Sequence, residues 1–300
     1  MTPDLAALRT LRRQAGAPRR ATLPAPGTYA LRTPVDTRAL RSLLRIREAP
    51  PPTRDAPAAD RSLPGDEIAP GLRLVETMRP APGIPQCICG AFDQRDDFDA
   101  ARVLFFDTET TGLAGGTGTR AFMLGAAAWE PRALRIRQLL LTRLSAETAM
   151  LAAFARWLQP DTVLVSYNGK SYDAPLLRTR YRLARLPDAL GDLSHVDLLH
   201  PTRRRYRGRF ENCRLVTIER HVCGVIRPDD LPGSEAPAAW RTYLRGGPAA
   251  NLRRVLQHNQ QDIASLALLL LHLGAQPPLP QLTRTRHAAS ARSATLAACG

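Results

Sequence analysis

Lysine is almost missing from this chain: of 42 basic residues only Lys170 is a lysine. Arginine in its place, with abundant alanine and proline, fits a coding bias. That bias accounts for the choice of arginine but not for the excess of bases over acids. Long apolar runs are missing as well. No stretch reaches the ~18 residues that a membrane-crossing helix needs, so no membrane partner is expected. The N-terminal segment carries arginines without an apolar stretch and small-residue cleavage site, so it does not read as a secretory leader. The five cysteines are an odd count without the spacing of a disulfide framework. Cys87-Ile88-Cys89 is too close for the usual zinc-knuckle pair, and no second Cys/His pair follows it. Reduced thiols in the cytoplasm are expected.

The formal net charge is +15 and the isoelectric point is near 10.9. A balance this basic suits a polyanionic partner such as nucleic acid. The 300 residues are enough for one large domain with extensions. Residues 1–65 are rich in Pro, Arg and Ala, with Pro50-Pro51-Pro52 opposing regular structure. Short basic helices fit residues 4–15 and 37–48, but nothing supplies a core, and disorder or loose packing is expected to about residue 65. Residues 276–300 are again Pro, Arg, Ser and Ala and read as a flexible tail.

Between these ends the pattern is α/β. Val103–Asp107, Ala121–Trp129, Leu134–Leu144, Thr162–Tyr167 and His195–Leu199 read as strands, and Gly71–Thr77 as a strand introducing the domain. Helices are expected from Ser145, as a cap, to Leu158, over Ala174–Leu186, near Arg214–Cys223, over Ala238–Leu244 and over Leu252–Leu273.

The most informative stretch is Phe105-Phe106-Asp107-Thr108-Glu109-Thr110-Thr111-Gly112. A buried-strand pattern ends in Asp-x-Glu, and residues i and i+2 of a strand share a face. Two adjacent carboxylates raise each other's pKa unless a cation neutralises them. Mg²⁺ and Mn²⁺ take such hard oxygen ligands. By itself the pair also reads as a solvated acidic turn. Two later segments weigh against that. A second strand leads into Asn168-Gly169-Lys170-Ser171-Tyr172-Asp173, and His258-Asn259-Gln260-Gln261-Asp262 opens a strongly apolar helix.

In this order the motifs resemble the DEDD (DnaQ-like) superfamily of 3′–5′ exonucleases. The glycine-rich continuation over 111–119, Asp197-Leu198-Leu199, Cys213-Arg214-Leu215, Ile218-Glu219 and Asp229-Asp230-Leu231-Pro232-Gly233 narrow the likeness. Together they resemble the bacterial YprB-type family of RNase H-like domains over roughly residues 66–275. The resemblance implies a mixed five-stranded RNase H-like sheet flanked by helices. It implies that Asp107, Glu109, Asp173 and Asp262 hold two divalent ions, Mg²⁺ or Mn²⁺. It also implies hydrolysis of single-stranded DNA or RNA. An RNase H-like endonuclease, or a nucleic-acid-binding module that has lost turnover, is the alternative.

Chemistry agrees with this division of labour. Two ions can stabilise the attacking and leaving oxygens of an in-line displacement. Ligand sites of open α/β sheets lie at the carboxyl ends of strands, where Asp107 and Asp173 fall. Asp173 also reads as a helix cap. Tyrosine-type relatives carry Tyr four residues before the last Asp, and histidine-type relatives carry His five before it. Here His258 stands four before Asp262, on the same helix face. It is a candidate general base or a positioning group, with Asn259 a supporting residue.

Lys170, alone of its kind and inside a motif, is a candidate phosphate contact. Asn168 and Tyr172 are substrate-side candidates beside it. Asp197 fits an accessory carboxylate or a helix cap. The glycine-rich 112–118 segment lacks the Gly-Lys-Ser/Thr ending of a nucleotide loop, so ATP is not expected. The run Arg203-Arg204-Arg205-Tyr206-Arg207-Gly208-Arg209-Phe210 interleaves bases with aromatics and is expected to contact substrate through Arg203, Arg204 and Arg205.

Overall fold

The computed structural model describes residues 59–81, 83–112, 118–228 and 230–277. The expectations for residues 1–58 and 278–300, for the glycine-rich residues 113–117 and for Asp229 lie outside the described residues. In chain order the strands and helices begin with β1 (Asp66–Ala69), β2 (Leu72–Pro80), β3 (Cys87–Ile88) and β4 (Phe98–Asp99). β5 (Val103–Thr110), β6 (Ala121–Glu130) and β7 (Ala133–Leu141) follow, then α1 (Glu147–Ala155), β8 (Val163–Ser166), α2 (Asp173–Leu183) and β9 (Ser194–Asp197). The order ends with α3 (Leu199–Tyr206), α4 (Leu215–Ile218) with a π turn over Glu219–Cys223, α5 (Ala236–Leu244) and α6 (Ala250–Gly274).

Among the described residues seven strands form one mixed sheet in the order β1-β2-β7-β6-β5-β8-β9. β5 pairs antiparallel with β6 and parallel with β8, and β8 pairs parallel with β9. The five strands expected from the sequence are all present. The sheet has seven strands rather than five because β1 and β2 add antiparallel to β7. The introductory strand expected over 71–77 is β2. Residues 59–65, placed by sequence in the loose extension, are instead tied to the domain. Ala249 N–H donates to Asp60 O at 2.8 Å, and the Arg61 guanidinium donates to Tyr243 O and Gly247 O.

Alternation along β5 sends its residues into two layers. Leu104 and Phe106 join Met150, Phe154, Leu177 and Tyr181 of α1 and α2. Val103 and Phe105 join Ile263, Leu266 and Leu270 of α6. Ser145 does not cap α1. A 3₁₀ turn over Leu144–Ala146 precedes the helix, so the cap position falls on Ala146, which offers no side-chain acceptor. Glu147 at the head of α1 is buried instead in an ion cluster. It takes Arg180 Nε and Nη2 at 2.6 Å each and Arg120 Nη1 at 2.7 Å.

One contact sets how close α6 comes to the sheet. Asp107 of β5 is in register with Gly125 of β6, and Gly125 is in register with Gln138 of β7. This lateral row faces α6. A Cβ at Gly125 would run into Asn259 Oδ1 and Ile263 Cδ1, so the helix lies where glycine lets it. Gly125→Ala is expected to lower stability by about 1–3 kcal/mol, the usual effect of overpacking a close contact. Urea denaturation measures it, and an unchanged midpoint would show that α6 can lift off β6 freely.

Candidate active site

Asp107 and Glu109 point to the α6 face of β5, and Thr108 points to the α2 face. Asp173, at the start of α2, accepts a hydrogen bond from Thr108 Oγ1. Asp262 comes from α6, one turn beyond His258. The two layers therefore close on the carboxyl end of β5 from opposite sides, where the β5–β6 register shifts between Glu109 and Thr110. Bulges of this kind re-aim side chains at strand ends.

The four carboxylates feel one another. Asp107 is pushed well above the ordinary range by burial first, then by Asp173, Asp262 and Glu109. Glu109 is pushed up by burial, then by Asp262, Asp173 and Asp230. Asp173 is pushed up to about 6, with burial the leading cause and the Thr108 hydrogen bond opposing it. Hard oxygen donors under mutual repulsion fit a divalent cation. Among the described residues, however, no three His, Cys, Asp or Glu side chains are grouped to enclose an ion as they stand. Each of three carboxylates is turned to a donor of its own.

Asp107 has Asn259. The Asn259 Nδ2 group donates to Asp107 Oδ2 at 2.8 Å, while Asn259 Oδ1 accepts from Gln138 Nε2 at 2.8 Å. Gln138 also donates to Leu256 O at 2.9 Å. Gln138 thus fixes which end of the Asn259 amide faces the carboxylate. Asp173 has Thr108. Asp262 has Arg227, whose Nη2 donates to Asp262 Oδ1 and to Glu219 Oε1. Burial works against the charge on Arg227, but Glu219 and Asp262 hold it protonated. Arg227 Nη1 reaches Asp230 Oδ2 at 3.1 Å. His258 Nδ1 lies 2.8 and 2.9 Å from the two Asp230 oxygens, and Nε2 lies 3.5 Å from Asp262 Oδ2. Burial raises the Asp230 carboxyl, yet the His258 hydrogen bond and Arg227 hold it below its usual range.

The Asn168–Asp173 loop is built on Asp197. Its Oδ1 accepts from Asn168 N at 2.7 Å and Leu199 N at 3.1 Å, and its Oδ2 accepts from Lys170 N at 3.1 Å. Asp197 thereby joins the loop to the start of α3, and its charge also pushes the Asp173 carboxyl upward, so it lies within electrostatic reach of the site. Asn168 has φ 69, a left-handed conformation that asparagine tolerates better than most residues.

A family model described as the RNase_H superfamily matches residues 104–274. The chain belongs to that superfamily. It is 36% identical over 178 residues, 59% of its length, to the uncharacterized protein YprB of Bacillus subtilis (strain 168), and spans 43% of that protein. The family B DNA polymerase of Pyrobaculum calidifontis is similar at 16% identity and a TM-score of 0.44, over 58% of this chain and 27% of that one. E. coli Exonuclease I in complex with a dT13 oligonucleotide is similar at 16% identity and a TM-score of 0.36, over 52% and 43%. Likenesses this partial carry nothing about activity. The chain is thus a YprB-type RNase H-like domain.

This RNase H-like domain brings together Asp107, Glu109, Asp173, His258 and Asp262. Lys170 is exposed on the adjoining loop. The Tyr172 hydroxyl donates to Gly112 O at 3.0 Å and lies 3.2 Å from Thr110 Oγ1. The arginine run is spread over several directions. Successive side chains on a helix turn by about 100°, so the three cannot face one way. Arg203 is exposed on the side of Tyr167, whose phenol it acts on electrostatically. Arg204 turns to Phe92 O and Asp93, and Arg205 to Gln276 and Pro277. These two are not brought to the carboxylates. Arg227, Glu219, Asp230, Gln138 and Gly125 are the site residues that sequence reasoning missed. The Asp229-Asp230 and Ile218-Glu219 motifs were the available signal for two of them.

A carboxylate with a raised folded pKa holds its proton better in the folded chain than in the unfolded one. For Glu109 the penalty grows as pH rises from its ordinary value of 4.5 toward the raised value, and is complete above that. Glu109→Gln is therefore expected to raise the melting temperature in metal-free buffer at pH 8, by roughly 2–4 °C for about 1 kcal/mol. The advantage should vanish near pH 4. A variant that melts at or below wild type at pH 8 would deny the repulsion.

Proposed function

We propose that this domain is a metal-dependent 3′–5′ exonuclease that hydrolyses phosphodiester bonds of single-stranded DNA or RNA. The observation that supports this best is the meeting of Asp107, Glu109, Asp173 and Asp262 at one strand end, within electrostatic reach of one another. Two Mg²⁺ or Mn²⁺ ions held by these four would neutralise the scissile phosphate and stabilise the attacking and leaving oxygens.

The remaining groups act through their own contacts. Gln138 and Asn259 hold Asp107 in one orientation. Asp230, with its oxygens 2.8 and 2.9 Å from His258 Nδ1, orients the imidazole so that Nε2 faces Asp262. An imidazole so held can take a proton from water. Lys170 and Arg203 present exposed charge to phosphates. Asn168 shapes the loop, and Tyr172, with its hydroxyl committed to Gly112 O, offers its ring. The free cysteines Cys87, Cys89, Cys213 and Cys223 accord with a cytoplasmic protein. No helix among the described residues is long and apolar enough to cross a membrane.

One observation favours a second reading, a nucleic-acid-binding module without turnover. The Arg227 guanidinium already supplies Asp262 with a cation from the chain itself. A manganese time course on 5′-labelled and 3′-labelled oligonucleotides separates the readings. The exonuclease gives a ladder of shortening 5′-labelled products and early mononucleotide release from the 3′ label. Asp107→Ala and Asp262→Ala are expected to abolish both. Discrete internal fragments would mean an endonuclease, and binding without products a module. Full activity of either variant would remove the carboxylates from the mechanism.

A further inference from the structure

The stretch from α3 to α4 carries charge that the carboxylate site does not use. Among the described residues its ion pairs are Arg204–Asp93 and Arg220–Glu211, with His221 also on Glu211. Arg203, Arg207, Arg209 and Arg214 are exposed and enter none of these pairs. Four exposed guanidinium groups thus stand in this short stretch without a carboxylate partner among the described residues, and a chain of phosphates would supply one.

The backbone beneath them is pinned at both ends. Tyr206 Oη lies 2.6 Å from His272 Nε2 of α6. Tyr167 Oη donates to Cys213 O at 2.6 Å. Between the pins, Phe210 stacks on Tyr206 with centroids 5.6 Å apart and on His221 at 4.5 Å and 10°. The rings stack on one another and Tyr206 is buried, so they brace the segment that presents the arginines, and the exposed guanidinium groups can take a phosphate backbone without reading sequence. Tyr167 immediately precedes Asn168 of the motif loop, so the basic stretch starts next to the carboxylate end of the sheet. His272 lies ten residues beyond Asp262 on α6, which is ~15 Å along the helix axis.

We propose that the Arg203–Arg214 stretch is a landing surface for a single-stranded nucleic acid, holding the strand where it leaves the carboxylates rather than at the bond being cut. The proposal deepens the exonuclease reading, on which its catalytic consequence rests, but binding by the surface needs no turnover. A long strand gains from it and a very short one does not.

The test is fluorescence anisotropy of labelled dT20 and rU20, and of dT4, on the full chain in EDTA. The variants are the triple Arg207→Gln, Arg209→Gln, Arg214→Gln and the charge-keeping triple with lysine at the same positions. Circular dichroism confirms that both fold, and the exposure of all three side chains gives the fold little to lose. The glutamine triple is expected to weaken dT20 and rU20 binding by about tenfold or more. It should flatten the slope of log K against log salt by about 2, at about 0.7 per lost phosphate contact, between about 50 and 200 mM salt. Binding of dT4 should not change, and the lysine triple should keep most of the wild-type slope.

An unchanged slope for the long probes, or an equal loss for dT4, would overturn the proposal. So would loss of binding to a poly-glutamate peptide with dT20 unaffected, which would assign the surface to an acidic protein. A chain that shows the predicted slopes but cuts nothing in manganese would sink the exonuclease reading and leave the surface standing. A chain that cuts, with slopes unaltered by the glutamine triple, would do the reverse.

Discussion

Carboxylates crowded at the end of one strand repel one another, and burial strengthens the repulsion because less water screens it. Much of the local architecture answers that problem. Asn259 donates to Asp107, Thr108 to Asp173 and Arg227 to Asp262. The donors come from three different elements, so the site holds its shape only while both helical layers stay on the sheet. Gly125 carries much of this. It lies between Asp107 and Gln138 in the sheet, and its missing side chain is the space in which Asn259 sits. From there one amide bridges two strands, accepting a hydrogen bond from Gln138 and donating one to Asp107. A buried side-chain network of this sort fixes a geometry more strictly than packing alone.

The Asp262 branch is organised differently. Glu219 is fully buried, and Arg227 links it to Asp262 while also touching Asp230. Asp230 in turn holds His258. One guanidinium thereby sets the positions of a carboxylate and, through a second carboxylate, of the imidazole. The loop carrying Arg227 and Asp230 is therefore part of the site. Its charge also makes Asp262 the carboxylate with a built-in competitor for any metal ion.

Much of this was legible in the sequence where chemistry follows a fixed spacing. Asp107 and Glu109 share a strand face at i and i+2, and His258 and Asp262 share a helix face at i and i+4. The pattern of apolar runs marked the five strands β5 to β9. What remained hidden depends on register or on composition. Nothing local marks Gly125 or Gln138, because their role appears only when β5, β6 and β7 are aligned. Arg227 could not be picked out of a chain whose bases are almost all arginine. A run of like residues looks like one surface, whereas a helix spreads Arg203, Arg204 and Arg205 over several directions, with Arg204 and Arg205 turned to partners within the chain. Residues 59–65 look loose by composition, yet Asp60 and Arg61 anchor them through backbone carbonyls and amides that sequence patterning does not reveal.

The central claim is that the four carboxylates form a site for divalent metal. Anomalous diffraction from crystals soaked in manganese tests it most directly. Anomalous peaks bounded by Asp107, Glu109, Asp173 and Asp262 are expected, with Asp262 turned away from Arg227 toward the ion. Crystals saturated with manganese that show no peak there, with the Arg227–Asp262 pair intact, would contradict it.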